Sequence, residues 1–172
     1  MISSPSDALR VAYGQLSRVE YAALATSSPS GEPWNSPVYT AYDDELNLYW
    51  TSAASSMHSQ NVRSSGRAFL VIYNSTAPEG TGEGLYLRCN ARELDRVEEV
   101  ARGRRILVSR IGKADRPPTE FLGESPRRVY RATPLQAWVN DNEVHGDRQV
   151  DVRLPVDLAE LRQYLRSRPA NS

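Results

Sequence analysis

A crowd of hydroxyls is the first sign of chemistry in this chain. Ser52-Ala-Ala-Ser-Ser-Met-His-Ser59 follows two short β runs, Asn35-Ser-Pro-Val-Tyr-Thr-Ala-Tyr42 and Leu46-Asn-Leu-Tyr-Trp-Thr51, joined at Asp43-Asp-Glu45. Strands rich in Tyr, Val, Trp and Thr make a rigid backing, and the loop after them offers small side chains, free backbone N–H groups and several O–H donors at one spot. Such a donor set suits a phosphate group. No set of nucleophile, base and orienting residue stands out, and two histidines and one cysteine without paired ligand spacing do not suit a metal.

The elements that must position this run are those of a small β protein. Ser6-Asp7 can cap a helix over about residues 7–18, with Leu9, Tyr13 and Leu16 near one face. Tyr21-Ala-Ala-Leu-Ala-Thr26 reads as a strand, the turn signals of Ser28 to Pro33 follow, and the first three strands form an antiparallel meander. A short helix over Ser59 to Ser65 ends at Gly66. Ala68-Phe-Leu-Val-Ile-Tyr73, the most apolar strand, is the expected centre of the sheet.

Residues 74–84 contain Ala-Pro-Glu-Gly-Thr-Gly-Glu-Gly, but strands flank this loop on both sides and it lacks the Gly-Lys-Ser/Thr ending of a phosphate-binding loop, so it reads as a flexible connection. Leu85 to Leu94 alternates as a strand, Val97 to Ile111 reads as a helix weakened at Gly103, and Pro117-Pro118 redirects the chain. The arginines at 88, 92, 96, 102, 104 and 105 alternate with Glu93, Asp95, Glu98 and Glu99, which reads as a solvated face. Val129 to Thr133 and Leu135 to Val139 read as paired strands around Pro134, then come polar residues 140–147, a strand over Gln149 to Leu154 and a C-terminal helix over about residues 157–166. The fold class is mainly β (α+β): a small antiparallel barrel with helical additions, expected as a single domain over residues 1–172.

Composition narrows the partners. Twenty-one basic residues balance 21 acidic ones, so no net field steers the chain to nucleic acid or to an anionic membrane surface. No apolar run approaches the roughly 20 residues of a membrane-spanning helix, and no leader is visible. A single cysteine, Cys89, suits a reducing compartment, and the expected location is the cytoplasm.

In order and spacing, these features resemble the pyridoxamine 5'-phosphate oxidase-like family, whose fold is the FMN-binding split β-barrel. The likeness runs from about Ala8 to Val156. It is carried by Ser36-Pro-Val-Tyr39, by Leu48-Tyr-Trp-Thr-Ser52 with Ser55-Ser-Met-His58 and Asn61, by Gly84-Leu-Tyr-Leu-Arg-Cys-Asn-Ala91, and by Trp138 with Asp147-Arg148. The resemblance implies an antiparallel split β-barrel with flanking helices, and a homodimer with FMN at the subunit interface. Ser36, Pro37, Val38 and Tyr39 would run beside the isoalloxazine ring, and Trp50, Thr51 and Ser52 would approach the flavin from the next strand. Ser55, Ser56 and His58 would lie near its phosphate, with Asn61 part of the same segment, while Trp138 and Arg148 would reach it from the partner chain. Read without the resemblance, Trp50 and Trp138 are equally well core aromatics, and His58 a surface helix residue.

The departures from the pattern bear on the reaction. An arginine-lysine pair in the oxidases is Ser56-Met57 here, and the arginine and histidine that bind the substrate there are Val144 and Gly146. A neutral valine makes no charge-assisted bond to a substrate phosphate, so pyridoxamine phosphate is not the expected substrate. The reading is an FMN-dependent oxidoreductase acting on a small molecule, with no catalytic acid or base assigned. The same barrel using the deazaflavin F420, or a flavin-binding or sensor module without turnover, is the alternative.

Overall fold

The computed structural model describes Ile2, residues 4–145 and residues 148–167. The first helix, α1 (Pro5–Arg18), starts earlier than the sequence suggests: its cap is Ser4, whose hydroxyl accepts from the Asp7 N–H, with Pro5 at the first helical position. The strands are β1 (Tyr21–Ser27), β2 (Pro33–Tyr39), β3 (Ala41–Tyr42), β4 (Leu48–Ala53), β5 (Arg67–Tyr73), β6 (Gly84–Glu93), β7 (Arg127–His145) and β8 (Arg148–Val156). Helix α2 (Met57–Ser65) follows β4, α3 (Val97–Ile111) follows β6, and α4 (Leu158–Arg166) closes the described chain. A single 3-10 turn spans Pro118–Phe121.

All pairings in the sheet are antiparallel, in the order β2-β1-β5-β6-β7-β4-β3 with β8 added on β7. This is the split barrel with flanking helices. Three expectations need correction. The first three strands are not a meander: β1 and β2 form a hairpin, but Thr40, whose N–H is taken by the Glu20 carbonyl, breaks the run, and β4 pairs with β3 and β7 instead of β2. β6, not β5, stands in the middle of the order. Lastly, Val129–Thr133 and Leu135–Val139 are one strand, not a pair.

That last strand runs through Pro134 because of a bulge. Cys89 on β6 faces Pro134 while the adjacent Arg88 faces Gln136, leaving Leu135 as the extra residue, 48% exposed. A proline with no N–H to give the ladder fits at such an irregularity. The strand is also the element that splits the barrel. One edge of β7 is held by β6, whereas the other is held by β4 at Arg127–Ala132 and by β8 from Ala137 onward.

Inside the barrel, Leu24, Leu70, Leu87, Trp50 and Tyr130 are fully buried, and Ala12 and Leu16 of α1 with Leu161 of α4 pack against the same core. Trp50 stacks on Tyr130 with ring centroids 5.4 Å apart. A second core of Tyr49, Leu94, Val100, Leu107, Phe121 and Val129 lies under α3. The charged run expected as a solvated face is exposed at Arg88, Asp95, Arg96, Glu98, Arg102 and Arg105, while Arg104 is buried and Arg92, Glu93 and Glu99 are half-buried. Glu99 pairs with Arg92, Arg96 and Arg131, and the bonds led by that from Arg96 hold its carboxyl down at about 2. Glu93 likewise takes Arg63, Arg128 and the Tyr130 hydroxyl.

Gly103 is not a weak point of α3 but its place of closest approach. A Cβ there would stand 2.9 Å from Cδ1 of Tyr49 and 3.2 Å from Cγ1 of Val129. Alanine would gain up to about 1 kcal/mol of helix propensity, against an overpacking penalty of roughly 1–3 kcal/mol. Gly103→Ala is therefore expected to destabilise the fold in a denaturant titration; a stabilised variant would show that α3 does not press on the sheet here.

Candidate functional site

Strands β2 and β4 lie on the two lips of the split, and no ladder joins them. The alternation of each strand decides what points into it. Ser36 faces Leu24 across the β1–β2 hairpin and so shares the inward face, as does Val38 at 5% exposure. On β4, Leu48, Trp50 and Ser52 are the buried alternates.

His58, in the first turn of α2, fills the gap. Its Nδ1 lies 3.1 Å from Ser36 Oγ and its Nε2 lies 2.8 Å from Ser52 Oγ and 3.1 Å from Ser56 Oγ. Ser36 Oγ also accepts from the Trp34 indole N–H at 3.1 Å. A consistent proton assignment has Trp34 donating to Ser36, the Ser36 hydroxyl donating to Nδ1, and the Nε2–H donating to Ser52. The imidazole is 8% exposed, and burial lowers its pKa from the ordinary 6.5, which favours the neutral ring. No carboxylate joins its contacts, so this is a structural clamp rather than a Ser-His-Asp relay.

Beside the clamp, α2 presents its N-terminus. Ser56 is the N-cap, but its side chain makes no cap bond; it bonds instead to the Ala53 carbonyl and Ser59 Oγ. The first-turn N–H groups of a helix have no intrahelical acceptor and carry a partial positive charge, an arrangement suited to an anion. Ser55 is exposed at this end. The nearest arginine on the helix, Arg63, is engaged by the Ala54 carbonyl, Glu93 and Tyr130. An anion placed here would meet N–H and O–H dipoles, since the clamp supplies no cation.

The remaining predicted residues scatter. Pro37 and Tyr39 point to the outer face, where Tyr39 meets Tyr21 edge-on at 5.5 Å. The Trp50 indole is wholly enclosed in the core, with no hydrogen-bond partner for its N–H among the described residues. Thr51 faces Val129 on the α3 side. Asn61 is 3% exposed and donates to Thr26 Oγ1 at 3.1 Å, a bond that ties α2 to β1. Trp138 lies half-buried on the outer face against Phe69, 6.3 Å between centroids, and Arg148 is exposed at the start of β8; neither joins the clamp within the chain. Gly146 and Asp147 lie outside the described residues. Ser59 of the serine run, to which the sequence reading assigns no ligand contact, completes the hydroxyl cluster, and Trp34, to which it assigns no role, orients Ser36. Ser59 carried the signal of the same serine run, whereas Trp34 carried none.

The family model described as pyridoxamine 5'-phosphate oxidase matches residues 13–141, well over half of the chain. The chain belongs to this family. Among solved structures, a protein of unknown function from Agrobacterium tumefaciens is similar, 24% identical with a TM-score of 0.63 over 83% of this chain and 60% of that one. A heme binding protein from Mycobacterium smegmatis is similar at 15% identity and a TM-score of 0.62, over 89% of this chain and 59% of its own. A putative pyridoxamine 5'-phosphate oxidase from Listeria innocua is similar at 14% identity and a TM-score of 0.58, over 76% of this chain and 96% of its own. At such identities the likeness is one of fold. The chain spans about three fifths of the first two structures. No curated protein matches the sequence significantly. Among the described residues, no helix is long and apolar enough to cross a membrane.

The clamp has a pH signature. Because the folded state lowers the His58 pKa below its unfolded value of 6.5, its contribution to stability is fully present above pH 6.5 and is lost as pH falls through the folded pKa. Thermal unfolding should show a stability loss on the acid side of pH 6.5 that His58→Gln lacks, with the variant less stable at pH 7.5 by about 1–3 kcal/mol for the orphaned hydroxyls. Identical pH profiles for the two proteins would remove His58 from this role.

Proposed function

We propose that this protein is a homodimeric flavoprotein that binds FMN and serves as an oxidoreductase toward a small molecule other than pyridoxamine phosphate. The observation that carries the reading is the uncapped N-terminus of α2, flanked by Ser55 and Ser56 at the split of a barrel of this family. Its N–H and O–H donors fit a ribityl phosphate, and Ser36 and Ser52 are held at fixed positions beside it by His58. The outer side of β2, with Pro37 and Tyr39, would lie along the ring. Bound FMN would supply hydride exchange; the chain's part is to hold the phosphate, orient the ring and exclude water.

Support for the dimer comes from the outer face of the sheet. Pro37, Ala23, Val71, Tyr86, Trp138 and Pro155 stand in one cross-strand row. An antiparallel sheet usually keeps one face polar, so an apolar row opposite the filled barrel calls for a second layer. A second copy would bring its Trp138 and Arg148 toward the cofactor, which one chain does not do for itself. The free, buried Cys89 suits a cytoplasmic setting. Neutral residues at Ser56, Met57 and Val144 argue against the substrate of the oxidases.

The purified protein should bind FMN at one per chain, with the visible bands of an oxidised flavin. Ser55→Asp, which sets a negative charge at the α2 N-terminus, should weaken FMN at least about tenfold and leave riboflavin, which lacks the phosphate, unaffected. A colourless protein that binds F420 but not FMN, or a Soret band in place of flavin bands, would overturn the cofactor. FMN that is bound tightly but never reduced by NADH or NADPH nor reoxidised would overturn the enzyme and leave a binding module.

A further inference from the structure

A buried amide on α1 points to a second ligand site, independent of the flavin. Gln15 is 3% exposed, and its Nε2 donates to Glu83 Oε2 at 3.2 Å. A carboxylate only accepts hydrogen bonds, so the amide can sit only one way round and its oxygen must face away from Glu83. That oxygen, Oε1, is buried and has no hydrogen-bond partner. An acceptor left so carries an uncompensated desolvation cost, which a ligand that donates to it would recover.

Gln15 lines a cavity of about 540 Å³ at the C-terminal end of α1, together with Arg18, Glu20, Tyr21, Tyr73 and Glu83. Its charges are unequal. Arg18 lies back against Gly14, where a Cβ would come within 2.7 Å of the guanidinium, and pairs with Glu83 at 3.6 Å. Glu83 is thereby matched, and Glu20, which neighbours the Tyr39 phenol, stands as the second carboxylate with no ion pair among the described residues. Two exposed tyrosine rings, Tyr21 and Tyr73, border the opening and offer π faces to a cation.

We propose that this cavity binds a small organic cation, an alkylammonium or guanidinium compound whose N–H donates to Gln15 Oε1 while its charge faces Glu20 and the tyrosine rings. An anion is opposed by the surplus carboxylate, and a neutral molecule forgoes both the charge and the ring contacts.

Calorimetric titration of the full-length protein with agmatine tests this, with 1,4-butanediol and succinate as neutral and anionic controls of similar length. Saturable binding of agmatine at one site per chain is expected, with neither control binding. Glu20→Gln, a change at an exposed side chain, should lower agmatine affinity roughly tenfold with the unfolding temperature unchanged, and Gln15→Met should do the same. If Gln15→Met does not fold, Glu20→Gln decides alone. Absence of saturable agmatine binding, equal binding of butanediol, or unchanged affinity in Glu20→Gln would each overturn the proposal, leaving Gln15 Oε1 to water.

Discussion

The imidazole of His58 does for this barrel what a ladder of backbone hydrogen bonds would otherwise do. β2 and β4 are the lips of an open seam, and the ring spans it with a hydroxyl from each lip on its two nitrogens. Each such bond is worth only about 0.5–1.5 kcal/mol net, but leaving those buried groups unpaired would cost more than making the bonds gains. The interaction also requires a neutral ring. A protonated imidazole has two N–H donors and no acceptor, which would turn the Ser36 hydroxyl away from Nδ1 and leave a charge where burial disfavours it.

From that clamp follow the position of α2 and the character of the site. His58 lies in the first turn, so pinning it sets the helix N-terminus beside Ser52 and the Ala53 carbonyl, while Asn61 to Thr26 fixes the next turn against β1. The result is a helix N-terminus ringed by N–H and O–H dipoles, an arrangement suited to an anion. Positive side chains are used elsewhere: Arg63, Arg92, Arg96, Arg128 and Arg131 are bound to Glu93 and Glu99 around the second core. Neither position at this helix start carries a charge: one is the N-cap Ser56 and the other the exposed Met57.

Much of the fold was legible because it depends on local pattern. The period of α3 gave its limits residue for residue, Leu85 to Leu94 alternated as β6 does, and Asp157 announces α4 by capping it through two N–H bonds. What escaped depends on pairing over long distances. Pro134 reads as a break until Arg88 and Cys89 are seen to slip by one residue opposite it. The separation of β2 from β4 could not be read from two adjacent β runs, because the signal is a single N–H, that of Thr40, given to Glu20. Trp50 falls on the core face, as its reading as a core aromatic has it, because Leu48, Trp50 and Ser52 share one parity and the first two are wholly buried. The serine-histidine run was found, but its first task is to close the protein's own seam.

The most direct measurement is an NMR titration of the His58 imidazole in the folded protein. A clamp predicts a neutral ring with a protonated Nε2 that titrates below 6.5. A ring that titrates at or above that value, or that carries its proton on Nδ1 with no dependence on Ser36→Ala, would contradict the seam as described.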